Sequence, residues 1–425
     1  MRSLCFVSCA MAMALSSHLA FSQVPTREVT VKWSSYLTED NKVINGLGGT
    51  EEVLLVADGD WVLSISEDAS SWLSTSPTSG HSGKTRISVT SAPNHEKTNR
   101  TGTVTVTSSG KVDTLTITQR PCIYERKVTA TGKVRNYVAV DYQGTEFTQI
   151  CSLIPVPRSC LYQDIFSFTG SGKILKCSNN DNLYLVSDLS SRDIPYPGGN
   201  IISSSFDVTC YSVTADLSLI DDIPEPDLTS YPYKKCLKDE KPYIVPSDPD
   251  IIAVADRQWD AAGGDLLDYA RKCYLWTVEN MVYGDPYTDL HSIKELMRTR
   301  TGDCGNYCSV FISLLRAKGI PARHVVMIEP ERAGKHVRAE FYIPGYGWIP
   351  ADPQQESRNP YWDRTQLFFG RFSGKYVVLS MGINSQVRMP NNQNHYVPLL
   401  QTYKCWYRYE KLGRISFRHE FSGFE

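Results

Sequence analysis

The sequence predicts a multidomain chain in which two β-sandwich domains precede a mixed α+β domain. Three observations lead there. The chain has 425 residues, more than one hydrophobic core accommodates, so two to three domains are expected. Residues 23–241 alternate apolar and polar positions with turn residues between the runs, a strand pattern. From about Pro246 the apolar spacing changes to three and four residues, a helical pattern, before strands return near Ala322. The composition agrees with a folded chain: 24 Tyr, 8 Trp and 21% charged residues are too aromatic and too weakly charged for disorder. A formal net charge of -2 provides no field for nucleic acid or anionic membrane.

The first residues read as an export leader, residues 1–22. Arg2 supplies a positive start, Leu4 to Leu15 is apolar and uncharged, and Ala20-Phe21-Ser22 places small residues where signal peptidase cuts, before Gln23. The apolar run is short and Ser-rich for an anchor, and Phe6-Val7-Ser8 is a poor lipidation signal ahead of Cys9. No later segment is apolar enough to span a bilayer. The expected location is therefore extracytoplasmic: periplasm, cell surface or medium. Ten cysteines remain after cleavage, in a compartment that permits disulfides. None forms a Cys-x-x-Cys pair, which argues against a zinc ribbon or a thioredoxin-type redox site.

Residues 23–120 read as the first sandwich. Val29, Val31 and Trp33 alternate, Val53 to Ala57 is a short apolar run, and Val104/Val106 and Leu115/Ile117 alternate with Thr. Ser108-Ser109-Gly110-Lys111 is a hairpin turn signal between the last two strands. Trp61, Ser71-Trp72-Leu73, Ser79-Gly80, Asn99-Arg100-Thr101-Gly102 and the closing Thr118-Gln119 resemble the BACON family. That is an immunoglobulin-like module common at the start of secreted Bacteroidetes proteins. The resemblance implies carbohydrate or mucin as a ligand. Against it stands a spacer with Trp61 and Trp72 in its core, and buried Trp is the commoner case in such sandwiches.

Residues 121–241 read as the second sandwich, with strands at Val128 to Val140, Phe147 to Val156, Leu183 to Val186 and Ser203 to Tyr211. Ile154-Pro155-Val156-Pro157-Arg158-Ser159, with Tyr162-Gln163, resembles a β-domain found ahead of bacterial transglutaminase cores. Ile223-Pro224-Glu225-Pro226-Asp227 is a loop, since Pro suits neither helix nor ladder.

Residues 246–425 are expected to form the third domain. Two amphipathic helices flank Gly263-Gly264, and a third covers His291 to Arg298. Thr301-Gly302-Asp303 is a turn with a helix N-cap. Cys304, Tyr307, Cys308, Phe311, Leu314 and Leu315 then follow helical spacing until Gly319 and Pro321 end the helix. Cys304 thus lies in a first turn, where unpaired N–H groups and the helix dipole favour an anion such as a thiolate. Cys308 reads as core. Ala322 to Glu329, His336 to Ile343 and Trp348 to Ala351 read as strands. A hairpin about Pro344-Gly345-Tyr346-Gly347 brings His336 and Asp352 onto neighbouring strands. A nucleophile, a base and a carboxylate in this layout suit nucleophilic catalysis.

Gly302-Asp303-Cys304, Leu314-Leu315-Arg316-Ala317-Lys318-Gly319-Ile320-Pro321, His336-Val337-Arg338-Ala339-Glu340 and Gly345-Tyr346-Gly347-Trp348-Ile349-Pro350-Ala351-Asp352-Pro353 resemble the transglutaminase-like superfamily. The resemblance covers about Pro246 to Leu379. It implies a papain-like α+β core in which Cys304 is the nucleophile, His336 the base and Asp352 the residue orienting the imidazole. It also implies a protein or peptide substrate. Arg338 stands where the family usually has Trp, and Gln354 where Thr often follows Asp-Pro; both bear on pocket shape and charge. No cofactor is called for. A Cys304/Cys308/His336 metal site lacks tetrahedral spacing, and no acidic loop suits calcium.

Two functions follow. The first is an amide-bond enzyme of peptidase or amidase type. Its oxyanion donor would be the Cys304 N–H; whether a side chain such as Tyr283, Trp276 or Tyr307 joins it is left open by the sequence. The second is an inactive transglutaminase-fold protein serving as a glycan- or protein-binding surface module. Trp348 and Tyr346 read as hairpin packing. Glu340 is either a second polar group beside His336 or part of a solvated face. The tail from Gln386 to Glu425 is expected to add late strands to this third domain.

Overall fold

The computed structural model describes residues 30–33, 41–284, 289–332, 334–389 and 394–424; the leader expected over residues 1–22 lies outside them. No described helix is long and apolar enough to cross a membrane.

The first sandwich is built as the alternation requires. One sheet orders the strands Thr30–Trp33, Gly49–Ala57, Gly83–Ser91 and Leu73–Ser76; the other orders Asn41–Ile44, Lys111–Gln119, Arg100–Ser108, Trp61–Ile65 and Ser79–Gly80. The Thr/Val strands turn Val104, Val106, Leu115 and Ile117 inward and leave the Thr residues between them at the outer face. The hairpin closes where Ser108 pairs with Lys111. Ser109 and Gly110 both have positive φ, 49° and 76°, the pair of angles a tight two-residue turn needs. Trp61 and Trp72 are buried in this core, with the Trp61 indole donating to the His81 carbonyl at 3.0 Å.

The second sandwich is not made from residues 121–241 alone. One sheet orders Gln163–Gly170, Gly198–Ala215, Tyr124–Gln143 and Arg414–Phe421, with Arg371–Phe372 pairing along Gly198–Ala215; the other orders Lys173–Lys176, Leu183–Ser190, Glu146–Val156 and Lys404–Lys411. Of the tail expected to extend the third domain, the last two strands instead complete both sheets of the second, while Ser385–Arg388 and Asn394–Val397 pair with each other. Alternation tells which residues share a face; it does not tell which free edge a strand joins. Pro155 sits within a strand, but beyond Leu153, where pairing with Lys404–Lys411 ends, so its missing N–H breaks no ladder on that side. Residues after Ala215 leave the sandwich for a 3-10 turn, Leu217–Leu219, and a short helix, Tyr231–Lys235.

The third unit is α+β. The helices Pro249–Ala261, Leu266–Asn280, Ile293–Thr299 and Cys304–Ala317 precede an antiparallel sheet ordered Gly347–Ala351, Gly334–Ile343, Ala322–Glu329 and Val377–Met381. Each of the four helices opens on an Asp or Ser that caps a free N–H: Asp248, Asp265, Ser292 and Asp303. Gly319, at φ 79°, stops the last helix as its place in the sequence predicts. One face of the sheet packs on the Cys304–Ala317 helix. The other meets the second sandwich, where Ile328, Val377 and Leu379 cluster with Val134, Phe206, Val208 and Phe421. Two polar ties cross that contact. Gln163 exchanges two hydrogen bonds with the Val378 backbone, at 2.7 and 2.9 Å, and the Tyr162 hydroxyl donates to Glu340 at 2.6 Å.

Candidate active site

The site is assembled from the start of one helix and the ends of two strands. Asp303 caps the helix: its carboxylate accepts from the Asn306 backbone N–H at 3.1 Å and the Asn306 amide at 2.9 Å. Burial pushes the Asp303 carboxyl up. Cys304 follows as the first helical residue and is partly exposed. Gly305 sits close under Leu290, whose Cδ2 a Cβ there would approach to 2.9 Å. Behind it, buried His324 reaches the Gly305 carbonyl at 3.1 Å and the Ser309 hydroxyl at 3.3 Å, which steadies the first turn. Burial lowers this imidazole to about 4, so it is neutral at physiological pH.

His336 projects from Gly334–Ile343. Asp352 lies one residue past Gly347–Ala351, where it also caps the short helix Pro353–Glu356. The hairpin register, Ala339 opposite Ala351, carries the two side chains together. His336 Nε2 and Asp352 Oδ2 are 2.6 Å apart. Asp352 Oδ1 accepts from the Gln355 N–H at 2.9 Å, and its side chain is fully buried. With Nε2 engaged by Asp352, Nδ1 is the ring nitrogen left for Cys304, whose sulfur interacts electrostatically with the imidazole. Burial opposes a charged imidazole here. The Asp352 carboxylate, reinforced by Cys304, outweighs that penalty and lifts His336 to about 9. Asp352, though buried, is held below the usual carboxylate range by His336, then Arg338 and the Gln355 N–H.

The three residues expected to work together thus meet. Cys308 is core, with its thiol directed at the Val337 carbonyl. Glu340 is neither solvated nor part of the site: it is buried between Arg323, at 2.6 Å, and Tyr162. Tyr346 is hairpin packing, its hydroxyl donating to Asp221 at 3.0 Å, and Trp348 lies under the Arg323 guanidinium at 4.0 Å. Of the three aromatic donors considered, Tyr307 is committed to the Met281 carbonyl at 2.7 Å and Trp276 lies under Arg300. Tyr283 is partly exposed, carries Arg358 over its ring at 4.7 Å, and feels the charge of Cys304. Tyr376 was not expected. Its ring centroid is 5.7 Å from that of His336, and no sequence pattern distinguishes it from a strand-edge aromatic. The ten cysteines from Cys122 to Cys405 are all free thiols.

A cleft of about 380 Å³ opens near the start of the Cys304–Ala317 helix, and Cys304, His336 and Asp352 are not among its lining residues. Asp303 and Gly305, which flank Cys304, line it together with Lys335 and Val337, which flank His336; its far wall is the segment 397–404. That segment leads into the strand Lys404–Lys411 of the second sandwich, so the wall depends on the tail's return across the molecule.

The profile of the transglutaminase-like superfamily matches residues 252–353, a span that contains Cys304, His336 and Asp352. The chain carries a transglutaminase-like core. Residues 60–120 match the BACON profile, described as "Putative binding domain, N-terminal". An uncharacterized protein of Haemophilus influenzae is 37% identical over 20% of this chain and 31% of its own length. The peptide-N(4)-(N-acetyl-β-glucosaminyl)asparagine amidase of Kluyveromyces lactis is 30% identical over 23% of this chain and 26% of its own length. The chain therefore spans less than a third of the curated relatives it matches. A solved structure described as "a Putative Cysteine Protease from Cytophaga hutchinsonii" aligns over 71% of this chain and 93% of its own, at 13% identity and a TM-score of 0.45. The first sandwich with its BACON match, the second sandwich completed by the tail, and the transglutaminase-like α+β unit together make the chain multidomain.

Proposed function

We propose that this chain is an extracytoplasmic cysteine enzyme acting on amide bonds of proteins or peptides, with Cys304 as nucleophile, His336 as proton carrier and Asp352 as the group that orients it. The observation that carries this reading is the 2.6 Å contact between His336 and a fully buried Asp352, on an imidazole that also feels Cys304. A buried carboxylate at that place serves to fix the ring and hold its charge.

The reaction follows from these groups. The Cys304 sulfur attacks the amide carbonyl, and the carbonyl oxygen takes the charge. As the first residue of its helix, Cys304 has a backbone N–H with no intrahelical acceptor, placed to donate to that oxyanion. His336, as imidazolium, gives its proton to the departing nitrogen, and the C–N bond breaks to leave a thioester. The neutral imidazole then takes a proton from water or from an amine, which attacks the thioester and expels the Cys304 thiolate beside the restored imidazolium. Water gives hydrolysis and an amine gives transfer; peptidase-type hydrolysis is the favoured outcome. The extracytoplasmic location rests on the leader read from residues 1–22.

In the BACON segment, Trp61 and Trp72 are spent in the core and offer no stacking platform for sugar rings, which favours a spacer. A glycan array probed with the full chain tests this; binding abolished by substitutions confined to residues 60–120 would reverse it. The enzymatic reading is tested by digesting a peptide library with wild type and Cys304→Ala under reducing conditions. New termini should appear with wild type alone. Equal cleavage by both proteins, or none by either alongside a Cys304 that alkylates like a free thiol, would overturn it.

A further inference from the structure

Arg338 lies two residues beyond His336 on the same strand, so the two share a face. Its side chain is 2% exposed, unusual for a group that is costly to bury. One terminal nitrogen, Nη2, stands 3.4 Å from Asp352 Oδ2, the oxygen that also meets His336 Nε2. The other, Nη1, donates to the Arg371 carbonyl at 3.1 Å. The guanidinium lies 4.3 Å over the Phe372 ring. Its Nε is buried with no partner. An apolar side chain of similar volume would fill this place without desolvating a charge or stranding an N–H, so stability alone is a poor reason for an arginine here.

We propose that Arg338 is a positioning residue of the site: its guanidinium shares the Asp352 carboxylate with His336, fixes the carboxylate's orientation and tempers its pull on the imidazole proton. The proposal rests on the Cys304–His336–Asp352 reading. A cation on Asp352 opposes a second cation on His336, so the imidazolium is held less firmly than one carboxylate alone would hold it. That matters chemically, because the imidazolium must release its proton to the leaving nitrogen. The other titratable groups around the pair are neutral or committed elsewhere. The Cys304 helix contributes Cys304 and the buried thiol Cys308, which burial pushes well up. Leu266–Asn280 contributes Tyr274, whose hydroxyl donates to Glu356 at 2.8 Å and lies 3.2 Å from the Asp352 carbonyl. The residue before Val377–Met381 is Tyr376, which burial pushes up and which feels both Arg338 and Glu329. On the neighbouring strand, Val325 and Met327 face Arg338 and His336 and carry no charge.

The test uses the full chain and needs no substrate. Alkylation of Cys304 by iodoacetate is compared with alkylation by iodoacetamide across pH. The anionic reagent is favoured only while His336 is charged, so the rate ratio should fall with an inflection near 9. Arg338→Met and Arg338→Gln should move that inflection upward by on the order of one pH unit. Arg338→Lys should leave it near the wild-type position, since the charge remains, while lowering the absolute rate through loss of the fork. If Arg338→Met does not fold, Arg338→Gln, which keeps a donor for the Arg371 carbonyl, decides. An inflection unmoved in a folded neutral variant overturns the role of Arg338. A wild type with no preference for either reagent at any pH overturns the triad reading itself, a separate and distinguishable failure.

Discussion

A histidine held charged inside the core should make the core's stability depend on pH in a defined direction. His336 is lifted from 6.5 to about 9 in the folded chain, which corresponds to about 3 kcal/mol of preference for the charged form. Because the folded value lies above the unfolded one, this stabilisation is fully present below pH 6.5. It is lost as the pH rises through about 9. The buried thiols complicate the raw profile. Burial pushes Cys151, Cys160 and Cys210 up to about 12, so each also costs stability once the unfolded chain can ionise above about pH 9. A comparison with His336→Gln removes those shared contributions. Urea unfolding of both proteins would be followed through the transition in which exchange protection is lost across Cys304–Ala317. The stability difference should shrink by about 3 kcal/mol between pH 6 and pH 10. A difference that stays level to within about 1 kcal/mol would show that Asp352 does not hold His336 as an imidazolium, and the proton-transfer step would lose its basis.

The contact between the core and the second sandwich gives another prediction. Glu340→Gln leaves the largely buried Arg323 without its anion and should destabilise the chain by about 3 kcal/mol, read by thermal unfolding; a loss below about 1 kcal/mol would mean the pair is dispensable. In the BACON segment, Gly102→Ala places a Cβ 2.3 Å from Ala69 Cβ and 3.0 Å from the Trp72 ring. It should cost about 1–3 kcal/mol by overpacking, visible as reduced exchange protection in residues 60–120 while the Cys304 helix is unaffected. His324→Leu removes the partner of the Gly305 carbonyl. It should cost about 1–3 kcal/mol and slow Cys304 alkylation more than a distant core substitution of equal cost; equal slowing would make His324 a packing residue only.

The sequence by itself determined the local elements and nominated the groups proposed to react. Asp303 next to a helical run announces a cap, Gly319 and Pro321 a stop, and Pro344-Gly345-Tyr346-Gly347 a hairpin, because those signals act through the backbone of a few neighbouring residues. Cys304, His336 and Asp352 could be nominated because each sits at such a boundary. Tertiary structure decided what adjacency in space requires. It joined Lys404–Lys411 and Arg414–Phe421 to the second sandwich instead of the core, since a free sheet edge has no sequence signature. It brought Tyr376 to His336, buried Glu340 with Arg323, and set Arg338 against Asp352. The last case shows the limit most clearly: in the chain Arg338 is a cation on an alternating strand, and only the packing of Phe372 and the Arg371 carbonyl around it shows that its charge is spent on Asp352.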